Sequence, residues 1–156
     1  RLVCRAAFSA SKREPGETPH SGYHFDGTDR RFFEGWYFRV TLPGDGQSFA
    51  FMYSVEDPLG GSDFTGVGAQ VMGPNDGYMV QHSPEVGEFW ASSSNLSLGH
   101  SFLNAKGKRC PQSILEDEPF FEAVEEGFQV STTTHQGYLR ADRGAAGPGP
   151  ESTVAS

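Results

Sequence analysis

Glu34 is the residue with the clearest capacity for chemistry. It falls in a run, Phe32 to Leu42, whose side chains alternate: Phe32, Glu34, Trp36, Phe38, Val40 and Leu42 share one face of an extended strand, and Phe33, Gly35, Tyr37, Arg39 and Thr41 take the other. A carboxyl group among aromatic rings loses the water that stabilises its charge, so its pKa is expected to rise. An acid kept protonated near neutral pH is what protonation of an electron-rich substrate requires. The alternative is structural, with Arg30, Arg31 or Arg39 bridging to Glu34 as an ion pair. Both readings stand at this level.

His20, His24 and Asp26 lie close together, and two imidazoles with a carboxylate can bind zinc or iron. Gly22 breaks any helical His-x-x-x-His face and no cysteine lies nearby, so no metal is expected. His24 and Asp26 read instead as hydrogen-bonding residues at the mouth of a cavity. Gly66-x-Gly68 begins like a dinucleotide fingerprint, but Val71 stands in the place of the third glycine and the surrounding pattern is that of a strand. No GxSxG elbow is present. His135 and Gln136 follow a threonine run, and a hydrogen-bonded or solvated strand is the preferred reading over a catalytic one. Cys4 and Cys110 are far apart in no paired spacing, which argues for two thiols and against a disulfide framework or a CxxC site.

Short strands must position these residues. After Phe32 to Leu42, the turn Pro43-Gly44-Asp45-Gly46 leads into a second alternating run, Gln47 to Val55, with Phe49, Phe51, Tyr53 and Val55 on one face. The two runs predict a hairpin. Further strands are expected over Phe64 to Met72, Tyr78 to His82, from Phe89 and Trp90, over Asn95 to Leu103 and over Phe128 to Leu139. Pro119 to Glu126 predicts a short helix with proline in its first turn.

Composition agrees with an all-β class. The chain of 156 residues carries 20 Gly and 10 Pro, enough punctuation to exclude long helices, and its length allows one domain. Its 13 Phe, 5 Tyr and 2 Trp suit a barrel or sandwich lined with rings and open to a greasy ligand. A net charge of -8 leaves no phosphate-neutralising surface, so nucleic acid is not expected as a partner. No apolar run approaches the roughly 20 residues that span a bilayer, so membrane association is expected to be peripheral. Arg1 to Arg13 holds Arg1, Arg5, Lys12 and Arg13 and no acid, which reads as the end of an organelle transit peptide or a basic flexible terminus. Ala145 to Ser156 has no apolar periodicity and reads as disordered.

The segment TPHSGYHFDGTDRRFFEGWYFRV, Thr18 to Val40, resembles the opening signature of the plant tocopherol cyclases. The likeness continues, in the family's order, through SFAFMYSVEDP (Ser48 to Pro58), FTGVGAQVMGPND (Phe64 to Asp76) and the segment from Glu126 to Gly137. It ends near Arg143, where the family goes on with aromatic-rich strands.

The resemblance implies a fold, an activity and a set of site residues. The fold is the first part of a two-barrel arrangement: a partial lipocalin-like antiparallel barrel over residues 20–143, flanked by a transit-peptide remnant or flexible N-terminus over 1–19 and a disordered tail over 144–156, in a truncated member of the family. The activity is conversion of phytyl-substituted benzoquinols to chromanols, without a cofactor, in the chloroplast on the lipid droplets called plastoglobules. Glu34 or Asp26 is the implied acid, and His24, Trp36, Tyr37, Phe38 and Arg39 are the implied substrate contacts. A non-catalytic lipid-binding or regulatory fragment is the rival reading.

Overall fold

In the computed structural model, which describes residues 22–107 and 109–140, the alternating run after Phe32 becomes a ten-residue strand, β1 (Phe33–Leu42). The chain turns through Pro43 to Gly46, where Gly46 takes φ +64°, a conformation that penalises any residue with a Cβ. β2 (Gln47–Glu56) returns antiparallel, pairing Leu42 with Gln47 and Phe33 with Glu56, so the predicted hairpin is present. β3 (Gly66–Met72) and β4 (Tyr78–Ser83) complete a four-stranded meander in chain order.

A second meander follows, made of β5 (Trp90–Ala91), β6 (Ser97–Asn104), β7 (Val124–Ser131) and β8 (His135–Tyr138), again in chain order. One short helix, α1 (Asp117–Ala123), precedes β7. It begins two residues before Pro119, which therefore sits in the first turn, where its missing N–H leaves no helical bond unmade. Phe120 of this helix is buried. The all-β antiparallel class is as expected, and among the described residues the strands divide between these two sheets.

One expected strand is two. The run from Phe128 to Leu139 reads as continuous, but the chain folds back at Thr132 to Thr134. The Ser131 hydroxyl accepts hydrogen bonds from the N–H groups of Thr133 and Thr134, at 3.2 and 3.0 Å, and the Ser131 N–H donates to the Thr134 carbonyl at 2.7 Å. A hydroxyl that closes a turn in this way replaces the usual Gly or Pro, so the punctuation that betrays a turn is absent from the sequence. The fold-back sets Phe128 opposite Gly137 and Val130 opposite His135.

Period-two alternation gathers one face of each sheet into a common core. Tyr53 and Val55 of β2, Val67 and Ala69 of β3, Leu98 of β6, and Phe128 and Val130 of β7 form a single buried cluster with Phe89. The rings of Tyr53 and Phe128 stack across the sheets with centroids 4.1 Å apart. A polar link runs beside them: Gln81 Nε2 of β4 donates to Glu126 Oε2 of β7 at 2.7 Å, and Arg140 pairs with the same carboxylate at 3.0 Å. The expected transit-peptide remnant or flexible N-terminus over 1–19 with Cys4, the neighbouring His20, and the tail over 144–156 lie outside the described residues.

Candidate functional site

The β1–β2 register stacks the inward residues in layers: Glu34 beside Val55, Trp36 beside Tyr53, Phe38 beside Phe51, Val40 beside Phe49. Successive layers are about 6.6 Å apart, two residues of strand. Polar chemistry sits near both ends of this stack.

At the Glu34 end, the side chain is only 14% exposed, and both carboxylate oxygens are held by His24: the imidazole Nδ1 lies 2.8 Å from Oε1, and the backbone N–H donates to Oε2 at 2.9 Å. None of the three arginines considered as partners takes that place. Arg30 pairs with Asp26, Arg31 pairs with Glu56 while its guanidinium lies 3.8 Å from the centre of the Phe64 ring, and Arg39 reaches Ser48. His24 is carried there by the segment before β1, which is tied down by Tyr23 N–H to Ser92 O at 2.8 Å and by Phe32 N–H to Asp57 Oδ1 at 2.8 Å. Tyr23 itself packs against Phe32, Trp36 and Phe89, and its hydroxyl is buried without a hydrogen-bond partner among the described residues. Burial, and secondarily the charge of Glu34, push this phenol's pKa above the ordinary tyrosine value.

Asp26 lies apart from this corner. Its carboxylate accepts from the hydroxyl and N–H of Thr28 and from Arg30, and those bonds, that of the Thr28 side chain first, pull its pKa down to about 2. A carboxylate held ionised in this way does not donate a proton near neutral pH.

At the other end of the stack, the space between the sheets opens into a cavity of about 580 Å³, within the roughly 300–1,000 Å³ of small-molecule sites. Val40, Leu42, Phe49, Phe51, Val71, Met79, Phe128 and Leu139 give it apolar walls, with Phe121 of α1 at its side. Its titratable groups are Tyr53 and His135, whose hydroxyl and Nε2 lie 2.7 Å apart. The His135 ring is open to the cavity, yet the rings round it withhold enough water to lower its pKa, and burial raises that of Tyr53. Gln136, the next residue, has a buried amide nitrogen with no partner among the described residues.

The residues expected from sequence are therefore distributed. His24 and Glu34 meet, as do Trp36 and the Tyr23 ring. Phe38 stands against the His135 ring, with centroids 5.2 Å apart. Tyr37 and Arg39 project from the outer face of β1 because they occupy its odd positions, and Asp26 belongs to an exposed ion pair. Sequence reasoning did not foresee Tyr23 in the corner or Tyr53 with His135 in the cavity. The β2 alternation did place Phe49, Phe51 and Tyr53 on one face; what it lacked was the strand that comes to meet them. Among the described residues no three His, Cys, Asp or Glu side chains gather as metal ligands would.

Comparison with known proteins adds a family to this geometry. The model of a family described as tocopherol cyclase-like matches residues 30–151, so the likeness runs on past Arg143, where the sequence motifs were expected to end. The chain is 50% identical over 137 residues to the chloroplastic tocopherol cyclase of Zea mays, and 47% identical over 137 residues to the probable chloroplastic tocopherol cyclase of Oryza sativa subsp. japonica. Each alignment covers 80% of this chain and 29% of the relative, so the chain spans less than a third of the length of these curated relatives. No solved structure matches it.

Proposed function

The chain belongs to the tocopherol cyclase-like family, and from that premise we propose that it forms part of a cyclase that closes phytyl-substituted benzoquinols to chromanols. The reaction is an isomerisation. A Brønsted acid adds a proton to the trisubstituted double bond nearest the ring, a tertiary cation results, and the neighbouring phenol oxygen bonds to it and releases its own proton. No oxidant, reductant or cofactor is consumed. The observation that carries this reading is the apolar cavity of about 580 Å³, walled by Phe49, Phe51, Tyr53 and Phe128. Aromatic faces attract a cation, and apolar walls offer it few groups that could trap it. In this reading residues 20–143 work as one β unit in the chloroplast, at a plastoglobule surface; the names of both relatives, which call them chloroplastic, support the compartment.

A second reading places the proton donor at Glu34, with His24 beside it and Trp36 and Phe38 between it and the cavity. It is favoured by the low exposure of that carboxylate and by the Tyr23 hydroxyl in the same corner, unpartnered among the described residues. The two sites are separable by distance, since Glu34 lies four residues of strand from Phe38, about 13 Å. A third reading, lipid binding without turnover, is favoured by the apolar walls of the same cavity.

One experiment divides them. Purified protein is incubated under reducing conditions with dimethylphytyl benzoquinol, and both bound quinol and chromanol are measured, for the parent and for Glu34→Gln. Chromanol from both proteins supports the cavity reading; its loss in the variant alone favours Glu34 as the acid. Binding without chromanol leaves the lipid-binding reading, and absence of binding overturns all three.

A further inference from the structure

Apart from Gln136, the cavity wall is apolar except where two strands of different sheets bring Tyr53 and His135 together. Three rings surround the imidazole, Phe51 at 4.7 Å, Phe38 at 5.2 Å and Tyr53 at 5.5 Å between centroids. A neutral imidazole offers one donor and one acceptor nitrogen. When Nε2–H donates to the Tyr53 oxygen, Nδ1 keeps a lone pair that no hydrogen bond among the described residues occupies.

We propose that the Tyr53–His135 pair is the head-group element of the cavity, with His135 Nδ1 accepting the hydroxyl hydrogen of a phenol-headed isoprenoid whose chain lies along Phe49, Val71 and Met79. This rests on the cavity reading given under Proposed function and adds to it the residues that orient the ring. Desolvation, which lowers the pKa of His135, keeps the imidazole neutral and its lone pair available near neutral pH. During ring closure the phenol O–H bond breaks as the C–O bond to the tertiary carbon forms. The released proton passes to Nδ1 and from there to solvent, balancing the proton that the Brønsted acid added to the double bond. Tyr53 is then a positioning residue that anchors the ring through Nε2, its hydroxyl accepting from Nε2–H in the tautomer that receives the phenol.

The test is a binding titration, by intrinsic fluorescence under reducing conditions, of three probes: dimethylphytyl benzoquinol, its bis-methyl ether and the hydrocarbon phytane. The parent protein is expected to prefer the quinol to the ether by roughly 3- to 10-fold, the range of one hydrogen bond. His135→Phe and Tyr53→Phe are expected to lose that preference and to bind phytane as the parent does. Equal binding of quinol and ether by the parent overturns the proposal, as does a preference that survives in a folded His135→Phe or Tyr53→Phe protein. Chromanol is measured in the same samples. A parent protein that prefers the quinol but forms no chromanol loses the cyclase reading and keeps the head-group site, whereas chromanol without the preference does the reverse.

Discussion

His100 shows what burial does to a single residue. It is 2% exposed, its ring packs edge-on to Phe102, and among the described residues neither nitrogen has a hydrogen bond of good geometry. Desolvation lowers its pKa to about 4, with a backbone group of Glu88 acting weakly in the other direction. In the unfolded chain the same group titrates near its usual value of about 6.5. Below that pH the unfolded chain takes up a proton that the folded one refuses until about pH 4. Stability is thus unaffected by this group above pH 6.5 and falls between there and pH 4, by about 3 kcal/mol in all. Asp26, whose pKa is lowered to about 2, acts in a lower window, below the ordinary aspartate value of 3.8, so the two are distinguishable. Urea unfolding at pH 7, 5.5 and 4.5 is expected to show this decline in the parent and a smaller one in His100→Leu, which keeps the share of His135, a group lowered in the same direction. An equally steep decline in the variant would assign the acid sensitivity elsewhere. Alternation over Asn95 to Leu103 puts His100 on one face of its strand with Leu96, Leu98 and Phe102; that its nitrogens lack well-formed bonds among the described residues is a three-dimensional fact.

At the scale of elements, the β7–β8 hairpin decides whether there is a site. Its strands approach so closely that a Cβ on Gly137 would lie 2.5 Å from the Gly127 carbonyl oxygen and 3.0 Å from Phe128 Cα. Gly137→Ala is therefore expected to push β8 off β7, costing about 1–3 kcal/mol, as overpacking does, and disturbing the Tyr53–His135 bond. Gly44, in the β1–β2 turn, has nothing within 4 Å of such a Cβ, and Gly44→Ala is expected to stay within about 0.5 kcal/mol of the parent. Thermal or urea denaturation of the two variants makes the comparison, and equal stabilities would show that the close approach relaxes freely. These hairpins also differ in how far sequence revealed them. The first carries a Pro-Gly-Asp-Gly turn between alternating runs and was legible. The second turns on Ser131 and three threonines, β-formers whose hydroxyl bonding shows only once the strand has folded back.

For the whole molecule, the question is what joins two sheets that share no strand pairing among the described residues. The apolar core is one answer and the Gln81–Glu126–Arg140 network is the other, with the Glu126 side chain 12% exposed and satisfied from both sides. Glu126→Ala leaves Gln81 and Arg140 without that acceptor and is expected to cost about 1–3 kcal/mol, whereas Glu126→Gln, which can keep the bond to Gln81, is expected to cost less. Urea midpoints rank the three proteins, and an Ala variant as stable as the parent would show that the core alone holds the sheets together. By itself the sequence determined what depends on near neighbours: strands from period-two alternation, the first hairpin from its turn residues, the inward faces of β1 and β2, and the family likeness from contiguous motifs. Tertiary structure alone decided which inward residues meet. His24 with Glu34, ten residues apart, and Tyr53 with His135, eighty-two apart, are brought together by packing of one sheet or segment on another. Alternation states which way a side chain points but carries no information about what stands opposite it, because that depends on the relative placement of whole strands.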